Sequence, residues 1–360
     1  MGNKTLDQQV HRNHAVAGEP VIDPADWTGK ELEADDSWII RLEEDALSDL
    51  KDLADQIRPK IKYDPNVLLS LTKEDLPIGR FAGTVEEVRE ILTEGVGLSV
   101  LRGLPVGEWD RLDLMTAYWA MGRHLGRALS NNGEGDMIGH VLNAGKDYDK
   151  PNHRGYQTNV TMDYHIDQCD VVGLLCLQTS KSGGKSKLAS SSAVYNELLK
   201  CRPDLVKVMT EPYYWTRHGE IGPGQKPWYT SPILNFLDGY LCVSCGPKHI
   251  EKGHLLPGTP NMTAEQQEAI TVWEEICEDL HAEIAFEVGD IQLLNSAVTM
   301  HTRTEFEDWP DLERRRHLWR LWLSLDNFRP RTPYFETWKN GVQVEGMTER
   351  LRVDYLEGGG

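Results

Sequence analysis

The stretch NVTMDYHIDQCDVVGLLCL, residues 159–177, decides how the rest of the chain is read. Val171 to Leu177 is an unbroken apolar run of strand length, the longest in the sequence. Just ahead of it stand His165 and Asp167, two positions apart. Side chains of a strand alternate, so both project from one face and can share one ion.

One such pair proves little. With 12 histidines and 57 acidic residues in 360 positions, about two His-x-acid pairs arise by chance, and the sequence holds four. His218-Gly-Glu220 falls in a Gly/Pro-rich loop and His249-Ile-Glu251 beyond a turn, so neither is a preorganised chelator. His281-Ala-Glu283 opens the run HAEIAFEV and is a real competitor.

The rest of the constellation separates them. EVGDIQLLNSAVTMHTR (287–303) reads as a turn and a strand leading to His301, and RRRHLWRLWLSL (314–325) follows. In that last run Arg316 and Arg320 share one face, while Trp319, Leu321, Leu323 and Leu325 fill the other. Two cations aimed into a sheet interior need anions there. Two imidazoles and one carboxylate leave positions open on a metal, the arrangement of non-haem Fe(II) oxygenases. Zinc with the same ligands is the rival. The arginines favour the first, because guanidinium grips carboxylates bidentately and a water-activating hydrolase has no general need for a dicarboxylate partner.

Along the chain, residues 1–35 are polar with scattered Pro and Asp and read as a loosely ordered arm. Helices are expected over DALSDLKDLADQI (45–57), over TVEEVREILTEG, with Thr84 and Glu87 as a capping box and Gly95 as the stop, and over RLDLMTAYWAMGRHLG. GLSVLRGLP (97–105) reads as a buried strand. After about residue 155, short β-like runs at 171–177, 187–192, 233–236, 239–244, 283–288, 291–294 and 317–325 are interrupted by helices near 194–210 and 263–280. That pattern fits an antiparallel double sheet or barrel better than βαβ units. The aromatic, Gly/Pro-rich segment 211–230 is expected to be a long loop covering a site, with Trp215 and Trp228 as apolar walls.

A net charge of −19 repels nucleic acid and anionic membranes, and no run approaches a membrane span. The polar start is no signal peptide, and Leu6 spoils a myristoylation site. Six cysteines form no disulfide framework, which fits a cytoplasmic protein, and Cys242-x-x-Cys245 reads as structural thiols. GGKS (183–186) is not a phosphate loop, since Thr179 stands where glycine is required.

The order His165-Ile-Asp167, SGGKSKLASS, His301 and RHLWRLWL resembles the taurine dioxygenase-like (clavaminate synthase-like) branch of the Fe(II)/2-oxoglutarate-dependent oxygenases, over about residues 80–328. The resemblance implies an α+β, mainly β fold: a double-stranded β-helix (jelly roll) core over about 95–328 with flanking helices and a long insert between the metal ligands. This core lies in a single domain, 36–335, followed by a C-terminal tail, 336–360. It implies His165, Asp167 and His301 as iron ligands, Arg316 on the distal carboxylate of 2-oxoglutarate, Ser186 helping to hold that cosubstrate, and Arg320 on an anionic substrate. Gln157 and Asn159 alternate towards the His165 face and are further substrate candidates. Asn295 and Arg303 flank His301 as supports, and His124 and His140 are structural. The implied activity is a dioxygenase using Fe(II), 2-oxoglutarate and O2 to oxidise a small, anionic organic molecule, hydroxylation being the default, with release of succinate and CO2. Two alternatives stand beside it: a zinc hydrolase on the same triad, and a non-catalytic jelly-roll binding protein. No nucleic-acid or membrane partner is expected, and oligomeric state is unreadable.

Overall fold

A computed structural model of the chain describes residues 11–355. The first ten residues of the expected arm and the last five of the tail lie outside it.

The fold mixes helix and sheet around a sheet-rich core. The main sheet runs in the order Ile39–Arg41, Leu98–Arg102, Ile291–Asn295, Val171–Gln178, His317–Ser324, Arg127–Leu129, with Ile138–Val141 also pairing His317–Ser324. Only the first pair is parallel. A second, antiparallel sheet consists of Ala282–Ile284, Ser186–Ser190 and Thr299–Arg303.

Alternation along His317–Ser324 explains the layering. Trp319, Leu321 and Leu323 pack with the apolar faces of the helices Glu44–Ile61, Phe81–Thr93 and Arg111–Leu125. Leu318 and Trp322 belong to the other core, shared with the second sheet. One face of the main sheet is thus closed by helices, and the other faces the second sheet across a gap. Helix Arg111–Leu125 is started by Asp110, whose carboxylate accepts from the Leu112 and Asp113 N–H groups. It lies close on the sheet because Gly122 has no side chain, a Cβ there standing 2.3 Å from Leu321 Cδ2.

Several expectations need correction. Residues 11–35 are packed rather than loose: Ala15, Val21, Ala25, Trp27 and Leu32 are buried, Trp27 Nε1 donates to the Val96 carbonyl at 2.9 Å, and Asn196 bonds both main-chain groups of Val21. Their apolar residues follow no helical or strand period, so nothing in their spacing signals burial. The helix expected to start at Thr84 begins at Phe81, and Thr84 lies within it. Segment 211–230 holds a long loop, 217–227, but this loop joins two paired strands, Tyr213–Thr216 and Trp228–Ser231. Trp215 is fully buried against Tyr229 and Tyr334, its Nε1 donating to the Ser231 carbonyl, while Trp228 packs on Tyr214; neither lines the central cavity. The segment after 335 also packs, with Trp338, Val342 and Leu351 buried and bridges from Gly341 to Ser130 and Arg350 to Asp136. No helix among the described residues is long and apolar enough to cross a membrane.

Candidate active site

Between the two sheets lies a cavity whose lining includes His165, Asp167, Ser186, His301, Arg303, Arg316 and Arg320, walled by Val141, Tyr156, Met162, Leu174, Phe286 and Leu318. His165 is brought there by an antiparallel bridge to His301, with main-chain N–H to carbonyl distances of 3.0 and 2.9 Å in the two directions. The imidazole centroids stand 4.4 Å apart, and His301 Nε2 lies 3.6 Å from Asp167 Oδ2. His165 Nδ1 bonds the Asp163 carbonyl at 2.9 Å, which fixes the proton on Nδ1 and leaves Nε2 as a lone-pair donor.

The electrostatics suit ligands. Burial, aided by His165, drives His301 down to about 3, so its imidazole is neutral. Burial alone would raise the Asp167 carboxyl, but Arg320, with His301, His165 and Arg154, holds it below the usual carboxylate range. Asp167 Oδ2 and His301 Nδ1 are buried without a partner. An orphaned carboxylate oxygen close to the neutral His301 imidazole, with His165 beside it, fits a divalent cation. Among the described residues no three His, Cys, Asp or Glu groups are already converged as an ion would hold them. Asp167 is turned by Arg320, whose Nη1 donates to Oδ1 at 3.0 Å.

Arg316 enters the cavity from the start of His317–Ser324. Its main-chain N–H donates to Asp308 Oδ1 at 2.8 Å, its guanidinium lies over the Phe306 ring, and Nη1 is buried with no partner. Gly184, at φ +71°, makes room for it, since a Cβ there would lie 3.2 Å from Arg316 Nε. Burial pushes its pKa down to about 10. Arg303 is pushed to about 9 by burial and by Arg316; it donates to the carbonyls of Thr158, Val160 and Gly155. Ser186 lines the cavity opposite Arg303 in the strand register, its Oγ donating to Gln292 Oε1 at 3.1 Å.

Other expected site residues are placed differently. Arg320 is not free for a substrate: besides Asp167 it bonds Asn131 Oδ1 at 3.0 Å and lies against the rings of Tyr156 and Trp322. Asn159 donates to the Phe306 carbonyl, and Gln157 sits in the 3-10 turn Gly155–Gln157 with its carbonyl accepting from Ala144; neither lines the cavity. Asn295 donates to the Leu92 carbonyl, away from the triad. His124 bonds the Leu76 carbonyl, and His140 pairs with His317. The competitor His281 bonds Glu278 and its neighbour Glu283 pairs Lys185, both outside the cavity. Asn131 and Tyr156 were missed, having no local signal; Asn131 lies 189 positions from its partner Arg320.

Residues 69–322 match the model of the family described as taurine catabolism dioxygenase TauD, TfdA. FR-33289 synthase from Streptomyces rubellomurinus (strain ATCC 31215) is 30% identical over 338 residues, spanning 91% of this chain and 97% of that protein. Taurine hydroxylase-like protein SAT17 from Stachybotrys chartarum (strain CBS 109288 / IBT 7711) is 27% identical over 344 residues, spanning 91% and 86%. Among solved structures, asparagine oxygenase in complex with Fe(II), 2S,3S-3-hydroxyasparagine and succinate superposes with a TM-score of 0.61 at 17% identity, covering 79% of this chain and 93% of that one. The non-haem iron oxygenase OrfP in complex with Fe and alpha-ketoglutaric acid gives 0.60 at 15% identity, covering 80% and 94%. The chain belongs to the TauD, TfdA dioxygenase family and is a non-haem Fe(II)- and 2-oxoglutarate-dependent dioxygenase.

Proposed function

We propose that His165, Asp167 and His301 hold the Fe(II), that Arg316 takes the distal carboxylate of 2-oxoglutarate with Ser186 beside it, and that the enzyme hydroxylates a small organic molecule. One observation carries this: a buried guanidinium with an unpartnered nitrogen opens into the same cavity as an unpartnered carboxylate oxygen and the imidazoles of His165 and His301. A buried unpaired cation is costly unless an anion completes it, and a dicarboxylate that also reaches the metal does so. When bound, iron and 2-oxoglutarate supply the oxidising chemistry, consuming O2 and releasing succinate and CO2 as oxygen enters a substrate C–H bond.

The chain's own residues do the rest. Arg320 positions Asp167 through Oδ1 and leaves Oδ2 for the metal. Asp163, through its carbonyl, fixes the tautomer of His165. Phe306 and Phe286 exclude water around Arg316 and strengthen its grip on a carboxylate. The two facing, largely antiparallel sheets, one carrying Arg320 and the other His301, support a double-stranded β-helix as the finer description of the core. A cytoplasmic location fits the six cysteines, all free thiols.

The test is 2-oxoglutarate-dependent O2 consumption with succinate detection, on protein loaded with Fe(II) or Zn(II). Turnover with Fe(II), none with Zn(II), and its loss in Asp167→Ala and His301→Ala are expected. Activity with Zn(II) in the absence of O2 and 2-oxoglutarate would make the protein a hydrolase instead.

A further inference from the structure

We propose that Glu220 is a positioning residue of the iron site: it holds Arg154 away from Asp167 and so keeps the free carboxylate oxygen of that residue open to the metal. The inference rests on the assignment of Asp167 as an iron ligand above.

Loop 217–227 opens with a tight turn in which the Glu220 N–H donates to the Arg217 carbonyl at 2.9 Å. Within it His218 and Gly219 both take left-handed backbone, at φ +52° and +80°. A histidine keeps that conformation only where its surroundings over-determine it. Here His218 is buried, its N–H on Thr216 Oγ1 at 3.0 Å and its Nδ1 against the Pro151 carbonyl. The turn aims the Glu220 carboxylate inward. Oε1 accepts from the Gly133 N–H at 2.8 Å, and Oε2 pairs with Arg154 Nη2. Gly133 lies in the turn that follows Asn131, the residue whose Oδ1 holds Arg320. One oxygen of Glu220 is thus fixed by backbone, which leaves the other for a cation.

Arg154 is what makes that carboxylate matter. It is 7% exposed, and its Nη1 donates to Gln168 Oε1 at 3.4 Å, so the guanidinium lies against the residue that follows Asp167 in the chain. Its charge and that of Asp167 attract one another. A buried cation is costly without an anion beside it, and the nearby His218 and His249 supply none, being kept neutral chiefly by burial. Glu220 supplies it. With Glu220 neutral, Arg154 is left drawn to Asp167, where Arg320 already occupies Oδ1 and Oδ2 stands buried without a partner. A guanidinium on Oδ2 competes with a metal ion for the same lone pairs. Loop 217–227 therefore belongs to the iron site through one side chain, although none of its residues lines the central cavity.

Anaerobic Fe(II) affinity, measured by chelator competition on wild type, Glu220→Gln, Arg154→Gln and the double variant, tests the proposal. Glutamine keeps the oxygen that accepts from Gly133 and removes only the charge. Glu220→Gln is expected to weaken Fe(II) binding about 10- to 100-fold. The double variant is expected to return to within about threefold of wild type, because no guanidinium is left to compete. Arg154→Gln alone is expected to bind Fe(II) at least as tightly as wild type. The visible absorption band of the Fe(II)/2-oxoglutarate complex gives a second readout: it shifts in Glu220→Gln and returns in the double variant. Thermal unfolding checks the fold; should Glu220→Gln not fold, Glu220→Asp, which draws the charge back by one methylene, is expected to show a smaller loss that Arg154→Gln again restores. Wild-type affinity in the folded Glu220 variant, a loss that persists when Arg154 is also replaced, or an equal loss in Arg154→Gln alone would overturn the proposal. Wild-type protein that takes up no iron would refute the functional reading itself, and the proposal with it.

Discussion

Replacing Arg316 with methionine separates function from stability in opposite directions. In the wild type, burial holds this guanidinium's pKa at about 10, which corresponds to a desolvation cost of about 3 kcal/mol in the folded state. The sign follows from linkage: the folded pKa lies below the unfolded one, so the cost is present in full at pH 7 and is relieved only as pH rises through about 10. Methionine of similar length removes the charge and keeps the contact with Phe306. The unliganded variant should therefore gain about 1–3 kcal/mol, raising its Tm by about 2–6 °C. Binding of 2-oxoglutarate should weaken by about 3–4 kcal/mol, a rise in Kd of about 100- to 1000-fold, because a buried charge-assisted contact is lost outright. Scanning calorimetry of the metal-free protein and anaerobic equilibrium titration of the iron-loaded protein read the two effects. A Kd within about threefold of wild type, or a lower Tm, would refute the claim that this arginine is an uncompensated cation awaiting a carboxylate.

Arg320→Ala should weaken Fe(II) binding about 10- to 100-fold by releasing Asp167 Oδ1, with 2-oxoglutarate affinity largely kept once iron is saturating; competition with a chelator measures it. His140 and His317, bonded at 2.8 Å outside the iron site, are pushed by burial to about 4 and about 3. Their folded pKa values lie below the unfolded ones, so the stability they contribute is complete above about pH 6.5 and lost as pH falls towards 4; denaturant midpoints between pH 7 and 5 should fall, and fall less in His140→Gln. Gly253→Ala would ordinarily stabilise a helix by about 1 kcal/mol, but a Cβ there meets the Tyr214 carbonyl at 2.2 Å, so a net loss of about 1–3 kcal/mol is expected by urea titration.

Parts of this molecule were legible because a strand writes its period into the sequence. The alternation of Trp319, Leu321 and Leu323 against Arg316 and Arg320 marked a sheet with an apolar face and a charged one, and His165-x-Asp167 followed the same rule. Arg320 shows the limit of that signal. Period told which way it points, but its partners Asp167 and Asn131 lie 153 and 189 positions away, and no spacing reveals that its guanidinium is already satisfied. The segment 11–35 was illegible for another reason: Trp27 and Val21 are buried one at a time, tied by Val96 and Asn196, with no repeat to betray a buried face. Thr84 and Glu87 matched a capping pattern, but the helix starts one turn earlier at Phe81, which the core holds in place.

The central claim is that the His165, Asp167 and His301 side chains hold iron next to the carboxylate seat at Arg316. Anaerobic visible absorption of metal-free protein, titrated with Fe(II) and then 2-oxoglutarate, tests it most directly. A weak iron-to-oxoglutarate charge-transfer band should appear in the wild type, vanish in His301→Ala, and move to far higher 2-oxoglutarate concentration in Arg316→Met. Stoichiometric iron with no such band, or an unchanged band in His301→Ala, would contradict the account.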